Sequence, residues 1–263
     1  MKIHGLQFDI AWENREENFR RVRHLLDKSS ITTGDLIVLP EMFATGFSMK
    51  VDRIQEGDTR PSEQFMGELA KTTGAFVLGG LVRRAPDGRG RNDAVLFAPD
   101  GSVTVSYTKI HPFRFAGETA HYGAGSTPVT FEWAGLRATP FICYDLRFPE
   151  IFRHAVLAGV ELFIVIANWP AARTAHWRTL LIARAIENQA YLLGVNRCGS
   201  DPNVAYSGGS LFVSPQGEVL AEAGDAPEVV TAAPDRQQLL DYRKDFPALT
   251  DIRPQFLNAP TSS

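Results

Sequence analysis

Apolar residues recur at helical spacing in two segments of the first hundred residues, and short apolar runs flank both segments. At Asn14 a capping residue precedes Glu17 by three positions and apolar residues follow at helical spacing, which predicts an N-capped amphipathic helix. A second helix is predicted over Ser62 to Lys71. With a first strand at the N-terminus and strands at Leu36 to Leu39 and Ala75 to Val82, the pattern predicts a β-α-β-α-β opening.

The pattern then changes to a hairpin followed by a long aperiodic segment. Apolar runs at Asp93 to Phe97 and Val103 to Tyr107 flank Pro99-Asp100-Gly101, a turn sequence typical of a β-hairpin. Between Ile110 and Pro128 there is no periodicity, only Pro, Gly, His and aromatic residues among polar ones. Loops of this length inside compact domains are usually functional, so we expect this segment to contribute to a site.

The second half of the chain repeats the alternation of strands and helices. Strands are predicted at Val129 to Trp133, Leu136 to Cys143, Leu162 to Ala167 and Tyr191 to Asn196, and helices from Pro149 to near Gly159 and from about Ala175 to Asn188. A meander of Ser210 to Val213, Val219 to Glu222 and Val229 to Ala233 follows, and Asp235 is expected to cap a last short helix. No Ser/Pro-rich linker separates the halves, so we expect a single domain over residues 1–263, of the α/β class, with two sheets.

Composition narrows the protein class without suggesting a macromolecular partner. The 263 residues are 44% hydrophobic and 22% charged, with a net charge of -3, which is not typical of disorder or of a nucleic-acid surface. The longest apolar runs are shorter than the ~18 residues of a membrane span. The N-terminus lacks a signal-peptide pattern, and the two cysteines, Cys143 and Cys198, are too few for a disulfide scaffold. We expect a cytoplasmic protein with no membrane or nucleic-acid partner.

Three strand-like runs each end on a residue with the chemistry of an amide hydrolase. They are Asp35 to Glu41, Val103 to Lys109 and Arg137 to Cys143, so strand ends deliver a carboxylate, an ammonium and a thiol. These groups are the base, the oxyanion stabiliser and the attacking atom that a cysteine nucleophile requires.

The setting of Cys143 favours a nucleophile over a buried structural thiol. It lies between an apolar strand and a helix entered through Tyr144 to Pro149, a sharp turn that would place the thiol near free backbone N–H groups. We expect such a turn to lower the pKa of the thiol and to form part of an oxyanion hole. Cys198 has no comparable setting, and for it we expect a structural role.

Glu41 and Lys109 each have a surface alternative that their neighbours argue against. The residues after Glu41 stay apolar through Phe47, which indicates that the carboxylate faces a pocket wall, where its pKa would rise toward that of a general base. A long aromatic loop follows Lys109 instead of a tight polar turn. Near Cys143, the lysine would favour the thiolate and then the oxyanion.

These segments resemble the three signature segments of the nitrilase or carbon-nitrogen hydrolase superfamily: Leu-Pro-Glu41, Tyr-Thr-Lys109 and Ile142 to Glu150. Three further segments are similar to the omega-amidase branch, and the resemblance covers essentially the whole chain: Asn168 to Trp177, Ala183 to Tyr191 and Gly194 to Arg197. The resemblance implies an α-β-β-α sandwich of two mixed sheets covered by helices, a homodimer, and no metal or organic cofactor.

The resemblance also implies roles for particular residues. Glu41 would be the general base, Lys109 the cation at the tetrahedral intermediate and Cys143 the nucleophile. Glu118 falls where the family often has a second glutamate that orients the lysine or the water. Glu187, in mid-helix among apolar neighbours, is expected to be a buried structural hydrogen-bonding group.

Omega-amidase likeness implies hydrolysis of the terminal amide of a short 2-oxo dicarboxylic acid, such as 2-oxoglutaramate, through a cysteine thioester. The remote carboxylate of that substrate would need a cation. Candidates are Arg114, Arg147 and Arg173, although each could equally form a structural ion pair, Arg147 with Asp145 or Glu150. Further residues predicted to line the pocket are Tyr144, whose backbone N–H would hold the oxyanion, His121, Tyr122, Asn168, Trp169, Phe43 and Phe47.

Other functions stay open on the sequence. An aliphatic amidase, a nitrilase or an N-carbamoyl amidohydrolase could share the same three groups and differ in pocket shape. A papain-like pairing of Cys143 with His121 is a different class of enzyme, which no local signature supports. A degenerate member used as a binding or scaffold module is a third class, against which the intact Glu41, Lys109 and Cys143 speak.

Overall fold

A computed structural model describes residues 1–257 of the chain, and its elements follow one another in this order. The strands are β1 (Ile3–Gln7), β2 (Leu36–Val38), β3 (Phe76–Arg84), β4 (Gly90–Phe97), β5 (Val103–Thr108), β6 (Phe131–Trp133), β7 (Leu136–Ile142), β8 (Leu162–Ala167), β9 (Tyr191–Asn196), β10 (Cys198–Ser200), β11 (Ala205–Ser207), β12 (Leu211–Val213), β13 (Val219–Glu222) and β14 (Glu228–Ala232). The α-helices are α1 (Arg15–Leu26), α2 (Val51–Ile54), α3 (Pro61–Thr73), α4 (Glu118–His121), α5 (Pro149–Leu157), α6 (Thr174–Asn188) and α7 (Arg236–Asp245). Short 3-10 segments cover Arg114–Ala116, Cys143–Arg147, Ala171–Arg173, Ala248–Asp251 and Pro254–Phe256.

The strands form two six-stranded mixed sheets of similar plan. The first has the order β14-β1-β2-β3-β4-β5, with β1, β2 and β3 parallel and the other pairs antiparallel. The second has the order β13-β12-β9-β8-β7-β6, with β7, β8 and β9 parallel. This arrangement confirms the predicted α/β class and the α-β-β-α sandwich of two mixed sheets.

Apolar side chains fill the space between the sheets and the space under the helices. Ile3 and Val38 of the first sheet and Ile164 of the second belong to one fully buried cluster. On the outer face of the first sheet, Phe19 of α1 stacks on Phe65 of α3 with ring centroids 4.2 Å apart. Burying each such side chain stabilises the fold by about 1.5–3 kcal/mol, so the strand ends between these layers are held firmly.

Most of the predicted elements are confirmed, including the two caps. The Asn14 side chain accepts a hydrogen bond from the Glu17 backbone N–H at 3.2 Å, and the Asp235 carboxylate accepts from the first turn of α7. The sequence did not predict α2, α4 or the small hairpin of β10 and β11. Each of these elements spans only three or four residues, too few for a periodic pattern to be recognised.

The predicted meander is wrong in its last strand. β12 and β13 pair with each other, but β14 leaves the second sheet and pairs antiparallel with β1, with Ile3 beside Ala232 and Gln7 beside Glu228. Alternating side chains identify a strand but not its partner. Here β14 covers an edge of the first sheet that would otherwise expose unpaired backbone groups.

No helix within residues 1–257 is long and apolar enough to cross a membrane.

Gly80 on β3 lets the chain after β2 pass close to the neighbouring strand. Its N–H donates to the Pro40 carbonyl at 3.1 Å, and its carbonyl accepts from the Phe43 N–H at 3.1 Å. A Cβ at this position would lie 2.6 Å from both the Glu41 Cα and the Met42 N. Any side chain here would therefore displace the backbone that carries Glu41.

We expect Gly80→Ala to lower the free energy of unfolding by about 1–3 kcal/mol, because the added methyl overlaps backbone atoms that cannot rotate away. Chemical denaturation followed by circular dichroism measures this change. Gly224→Ala is the matched control, since a Cβ at Gly224 meets nothing within 4 Å. Equal stabilities of the two variants would contradict the proposed overlap.

Candidate active site

The chain segments after β2, β5 and β7 meet at one buried point. They bring together Glu41, Lys109 and Cys143, whose relative exposures are 0%, 1% and 8%. The Lys109 Nζ lies 3.0 Å from the Glu41 Oε1. The side chains that the sequence placed at three strand ends are therefore close in space.

Four donors hold the carboxyl group and carbonyl of Glu41. Its Oε1 accepts from the Asn92 side-chain amide at 2.7 Å and from Lys109, and its Oε2 accepts from the Asn168 backbone N–H at 2.8 Å. The Asn168 side-chain amide donates to the Glu41 carbonyl at 2.7 Å. Hydrogen bonds to a carboxylate are among the stronger ones in proteins, so this side chain is held in one orientation.

Lys109 lies between two carboxylates. Its Nζ is 2.9 Å from the Oε2 of Glu118, which is fully buried and also accepts from Asn92 and from the Phe113 backbone N–H. Burial by itself would lower the pKa of Lys109, but the charges of Glu118 and Glu41 outweigh it and hold this pKa well above its ordinary value. The ammonium therefore stays charged inside the protein.

Cys143 begins the 3-10 segment Cys143–Arg147 with a φ of +46°, in the left-handed region. Met42, directly after Glu41, has a φ of +44°. Such conformations cost about 1–3 kcal/mol each and concentrate at functional sites. The Cys143 Sγ lies 3.9 Å from the Asn168 carbonyl oxygen.

The expectation of a lowered thiol pKa at Cys143 is wrong. Burial, and next the negative charge of Glu41, raise the pKa of this thiol well above its ordinary value, although the charge of Lys109 opposes them. The lysine and the turn favour the thiolate, as expected, but the loss of water on burial and the nearby carboxylate oppose them and dominate. The resting thiol therefore keeps its proton.

A cavity of about 170 Å³ opens on Cys143. Pockets that bind drug-sized ligands have volumes of about 300–1,000 Å³, so this smaller cavity is suited to a small substrate. Its lining residues are Phe47, Phe113, Phe115, Ala116, Cys143, Tyr144, Arg147, Asn168, Trp169, Pro170, Arg173, Val204 and Tyr206.

Two of the three candidate arginines line this cavity without an acidic partner. The Arg147 guanidinium lies 4.8 Å from the Trp169 ring centroid, and that of Arg173 lies 5.6 Å from the Phe113 ring centroid. Within residues 1–257, neither forms an ion pair with a carboxylate, so the alternative pairing of Arg147 with Asp145 or Glu150 is wrong. Burial and the neighbouring charge of Arg173 lower the pKa of Arg147. An anion in the cavity would relieve this repulsion.

Several other predicted pocket residues lie elsewhere. Arg114 and His121 are exposed, and Tyr122 is buried with its hydroxyl donating to the Ser48 carbonyl at 2.6 Å. Phe43 packs in the core outside the first sheet. Among the described residues none of the four lines the cavity. The sequence could not give the path of the loop after Lys109, which carries Arg114, His121 and Tyr122, nor the direction of the Phe43 side chain.

Two predicted structural roles differ in outcome. Glu187 accepts a hydrogen bond from Arg184 at 3.0 Å, but its side chain is 34% exposed, so the expectation of burial is wrong. Its position near the end of α6 turns the carboxylate toward solvent. Cys198 is buried, and burial, followed by the charge of Asp9, raises its pKa to about 11. It does not belong to the cavity lining drawn from residues 1–257.

The sequence reasoning missed Asn92 and the far wall of the cavity. Asn92 bridges Glu41 and Glu118 from within β4, and the polar run Arg91-Asn92-Asp93 ahead of an apolar run was the available signal. Val204 and Tyr206 reach the cavity from the unpredicted β10–β11 hairpin. In the part of the chain that the structure describes, no group of three or more His, Cys, Asp and Glu side chains is placed to hold a metal ion.

The charges around Cys143 predict opposite effects for two substitutions. Glu41→Gln removes a negative charge and should lower the pKa of the thiol, whereas Lys109→Met removes a positive charge and should raise it. The pH dependence of Cys143 labelling by iodoacetamide, followed by mass spectrometry, measures both shifts. Glu187→Gln is the control and should leave the midpoint unchanged; shifts of the same sign in the two variants would refute the assignment.

Comparison with known proteins agrees with this geometry. The model of the carbon-nitrogen hydrolase family matches residues 5–244. The chain is 41% identical over 256 residues to the omega-amidase YafV of Escherichia coli (strain K12), covering 95% of this chain and 96% of the relative. It is 34% identical over 252 residues to the 2-oxoglutaramate amidase of Bacillus subtilis (strain 168), covering 95% and 97%.

A solved structure has the same fold. The CN-hydrolase superfamily protein XC1258 of Xanthomonas campestris, with an arsenic adduct in its active site, superposes with a TM-score of 0.90 at 33% identity. The match covers 100% of this chain and 99% of that one.

Proposed function

This chain belongs to the carbon-nitrogen hydrolase family, and we propose that it hydrolyses the terminal carboxamide of a short 2-oxo dicarboxylic acid monoamide, releasing ammonia. The observation that carries the proposal is the buried cluster of Glu41, Lys109 and Cys143 on a small cavity, which is also lined by two arginines without an acidic partner within residues 1–257. Relatives named omega-amidase and 2-oxoglutaramate amidase, similar over nearly their full length, support the choice of substrate.

In the first step Glu41 takes the proton of the Cys143 thiol as the sulfur attacks the amide carbon. A new S–C bond forms, and the carbonyl electron pair moves onto the oxygen. The raised pKa of the thiol makes this base necessary, and the fixed orientation of the Glu41 carboxylate makes proton transfer direct.

The Lys109 ammonium and the Tyr144 backbone N–H stabilise the oxyanion. Tyr144 follows Cys143 in the 3-10 segment and lines the cavity. Glu118 keeps the ammonium in place from the opposite side. Because these groups are already desolvated, they need little reorganisation when negative charge develops.

Turnover uses the same carboxylate twice. Protonated Glu41 gives its proton to the departing nitrogen, the C–N bond breaks, and ammonia leaves behind a thioester on Cys143. A water molecule then attacks the thioester while Glu41 accepts a proton from it. The C–S bond breaks, and the proton returns to the sulfur, which restores the resting thiol.

The remote carboxylate of the substrate binds Arg147 and Arg173. Guanidinium groups form strong, often bidentate hydrogen bonds with carboxylates, and the two here lack an acidic partner within residues 1–257. Trp169 and Phe47 supply apolar walls beside the chain of the substrate. The small volume of the cavity favours a short acyl chain.

Four properties stay predictions: the homodimer, the cytoplasmic location, the single domain and the absence of a cofactor. The exposed Leu157 of α5 and Ile186 of α6 are apolar side chains that a second protomer would cover.

We expect Glu41→Gln to lower kcat for ammonia release from 2-oxoglutaramate by roughly 10²–10⁴-fold, the usual contribution of a general base. Circular dichroism verifies that the variant is folded, and Glu187→Gln is the matched control. Undiminished turnover would refute the role of Glu41. An inactive wild-type protein would favour a binding or scaffold module instead.

A substrate panel separates the classes of enzyme that share Glu41, Lys109 and Cys143. Its members are 2-oxoglutaramate, an aliphatic amide, an aliphatic nitrile and an N-carbamoyl amino acid. We expect the highest kcat/KM for 2-oxoglutaramate, because its remote carboxylate can bind Arg147 and Arg173, whereas the aliphatic amide and the nitrile carry no anion. A preference for the nitrile or for the uncharged amide would overturn the proposed substrate.

We expect Arg147→Met and Arg173→Met each to lower kcat/KM for 2-oxoglutaramate by about 10- to 100-fold, since each removes a charge-assisted hydrogen bond. An uncharged aliphatic amide should be affected much less. Arg178→Met, which removes an exposed partner of Glu222, is the control. Equal losses on both substrates would contradict a role in binding the carboxylate.

A further inference from the structure

A buried carboxylate that touches none of the reacting groups lies in the same turn as the nucleophile. Asp145 follows Cys143 by two residues and is fully buried. Its Oδ2 accepts from the Tyr107 hydroxyl at 2.7 Å and from the Ile142 backbone N–H at 3.0 Å. Its Oδ1 accepts from the backbone N–H of His111 at 2.9 Å and forms a second hydrogen bond with that residue's Nδ1 at 2.8 Å.

The partners of Asp145 lie on both sides of Lys109 in the chain. Tyr107 precedes the lysine by two residues at the end of β5, and His111 follows it by two. The Tyr107 hydroxyl also accepts from the Ile110 backbone N–H at 3.3 Å. One carboxylate thus fixes the backbone before and after the catalytic lysine.

The same carboxylate fixes the nucleophile. Its bond to the Ile142 N–H holds the residue immediately before Cys143. The His111 ring stacks on Phe148, just after the 3-10 segment, with centroids 3.7 Å apart and planes 9° from parallel. The left-handed backbone of Cys143 persists only where its surroundings determine it, and these contacts act at both ends of the turn.

We propose that Asp145 is a positioning residue that joins the Cys143 turn to the strand end carrying Lys109, and so sets the separation of the thiol and the ammonium. The consequence for turnover rests on the proposed amide hydrolysis, whereas the consequence for the thiol does not. Burial, followed by the charge of Asp145, raises the pKa of Tyr107 well above its ordinary value, so this hydroxyl remains a donor to the carboxylate.

Three substitutions weaken this connection to different extents. Asp145→Asn keeps the side-chain volume, but its amide N–H groups face N–H and O–H donors that need an acceptor. Tyr107→Phe removes the hydroxyl donor to Asp145, and His111→Gln replaces the ring that bonds to it. A displacement of about 1 Å can cost roughly 100-fold in rate. We expect kcat per folded enzyme to fall by about that factor in Asp145→Asn and by less in the other two.

The protonation of Cys143 gives a readout that a purely structural role would not change. Several charges act on this thiol: Glu41 and Glu118 raise its pKa, and Lys109 lowers it. The Arg147 guanidinium also interacts with it.

If Asp145 keeps the ammonium near the sulfur, weakening its contacts should move the midpoint of iodoacetamide labelling at Cys143 to higher pH. Tyr107→Phe and His111→Gln test this directly because they retain the Asp145 carboxylate, whereas the lost negative charge in Asp145→Asn by itself acts in the opposite direction. This measurement needs no amide substrate, so it tests the proposal even if the wild-type protein releases no ammonia.

The chain offers matched controls at the amino end of β2 and near α7. Asp35 is likewise fully buried and pairs with a histidine, His4, at 3.2 Å, while accepting from the backbone of Lys2 and Thr32. Tyr191 donates to the Asp235 carbonyl at 3.0 Å. Asp35→Asn and Tyr191→Phe should reduce stability but leave kcat per folded enzyme and the labelling midpoint unchanged.

Circular dichroism gives the folded fraction of every variant. If Asp145→Asn does not fold, Tyr107→Phe and His111→Gln decide the question. A higher labelling midpoint in these two variants and a lower kcat per folded enzyme, absent from the controls, support the proposal. A midpoint equal to that of the wild type in these two variants, or the same changes in Asp35→Asn and Tyr191→Phe, overturns it.

Discussion

The ion pair network of Lys109 with Glu41 and Glu118 is the interaction on which the site depends. An isolated ammonium so deeply buried would lose its proton, and isolated carboxylates in the same place would take up protons. Together the three groups satisfy one another, and Asn92 bridges the two acids. The cluster carries one more acid than base, so its net negative charge adds to the larger effect of burial in raising the pKa of the neighbouring Cys143 thiol.

The double-layered scaffold makes this cluster possible. Glu41 and Lys109 extend from the first sheet, and Cys143 extends from the second, so their contact requires the two sheets to pack face to face. Packing also maintains the left-handed backbone of Met42 and Cys143, because the apolar layers on both sides leave little room for relaxation. Gly80 also supports the site, because without a side chain on this residue the backbone of Glu41 can lie against β3.

Much of this arrangement could be predicted from the sequence, since apolar runs mark strands and their last residues mark the edge where side chains gather. Glu41, Lys109 and Cys143 stood out because each ends such a run. Asn92 did not, since it lies inside a strand. The direction of the pKa shift of Cys143 depends on burial and on the distances to several charges, which no linear pattern contains. For the same reason the sequence could not distinguish Arg114, which is exposed, from Arg147 and Arg173, which line the cavity.

The crossing of β14 into the first sheet has a consequence for how the molecule is made. β1 forms its antiparallel edge with residues 228–232, more than two hundred positions later in the chain. Contacts between such distant segments form slowly, because a long loop must close before they contribute. During synthesis on the ribosome, the sheet that carries Glu41 and Lys109 therefore keeps an open edge until nearly all of the chain has emerged. That interval is when the nascent chain is most exposed to wrong strand pairing and aggregation.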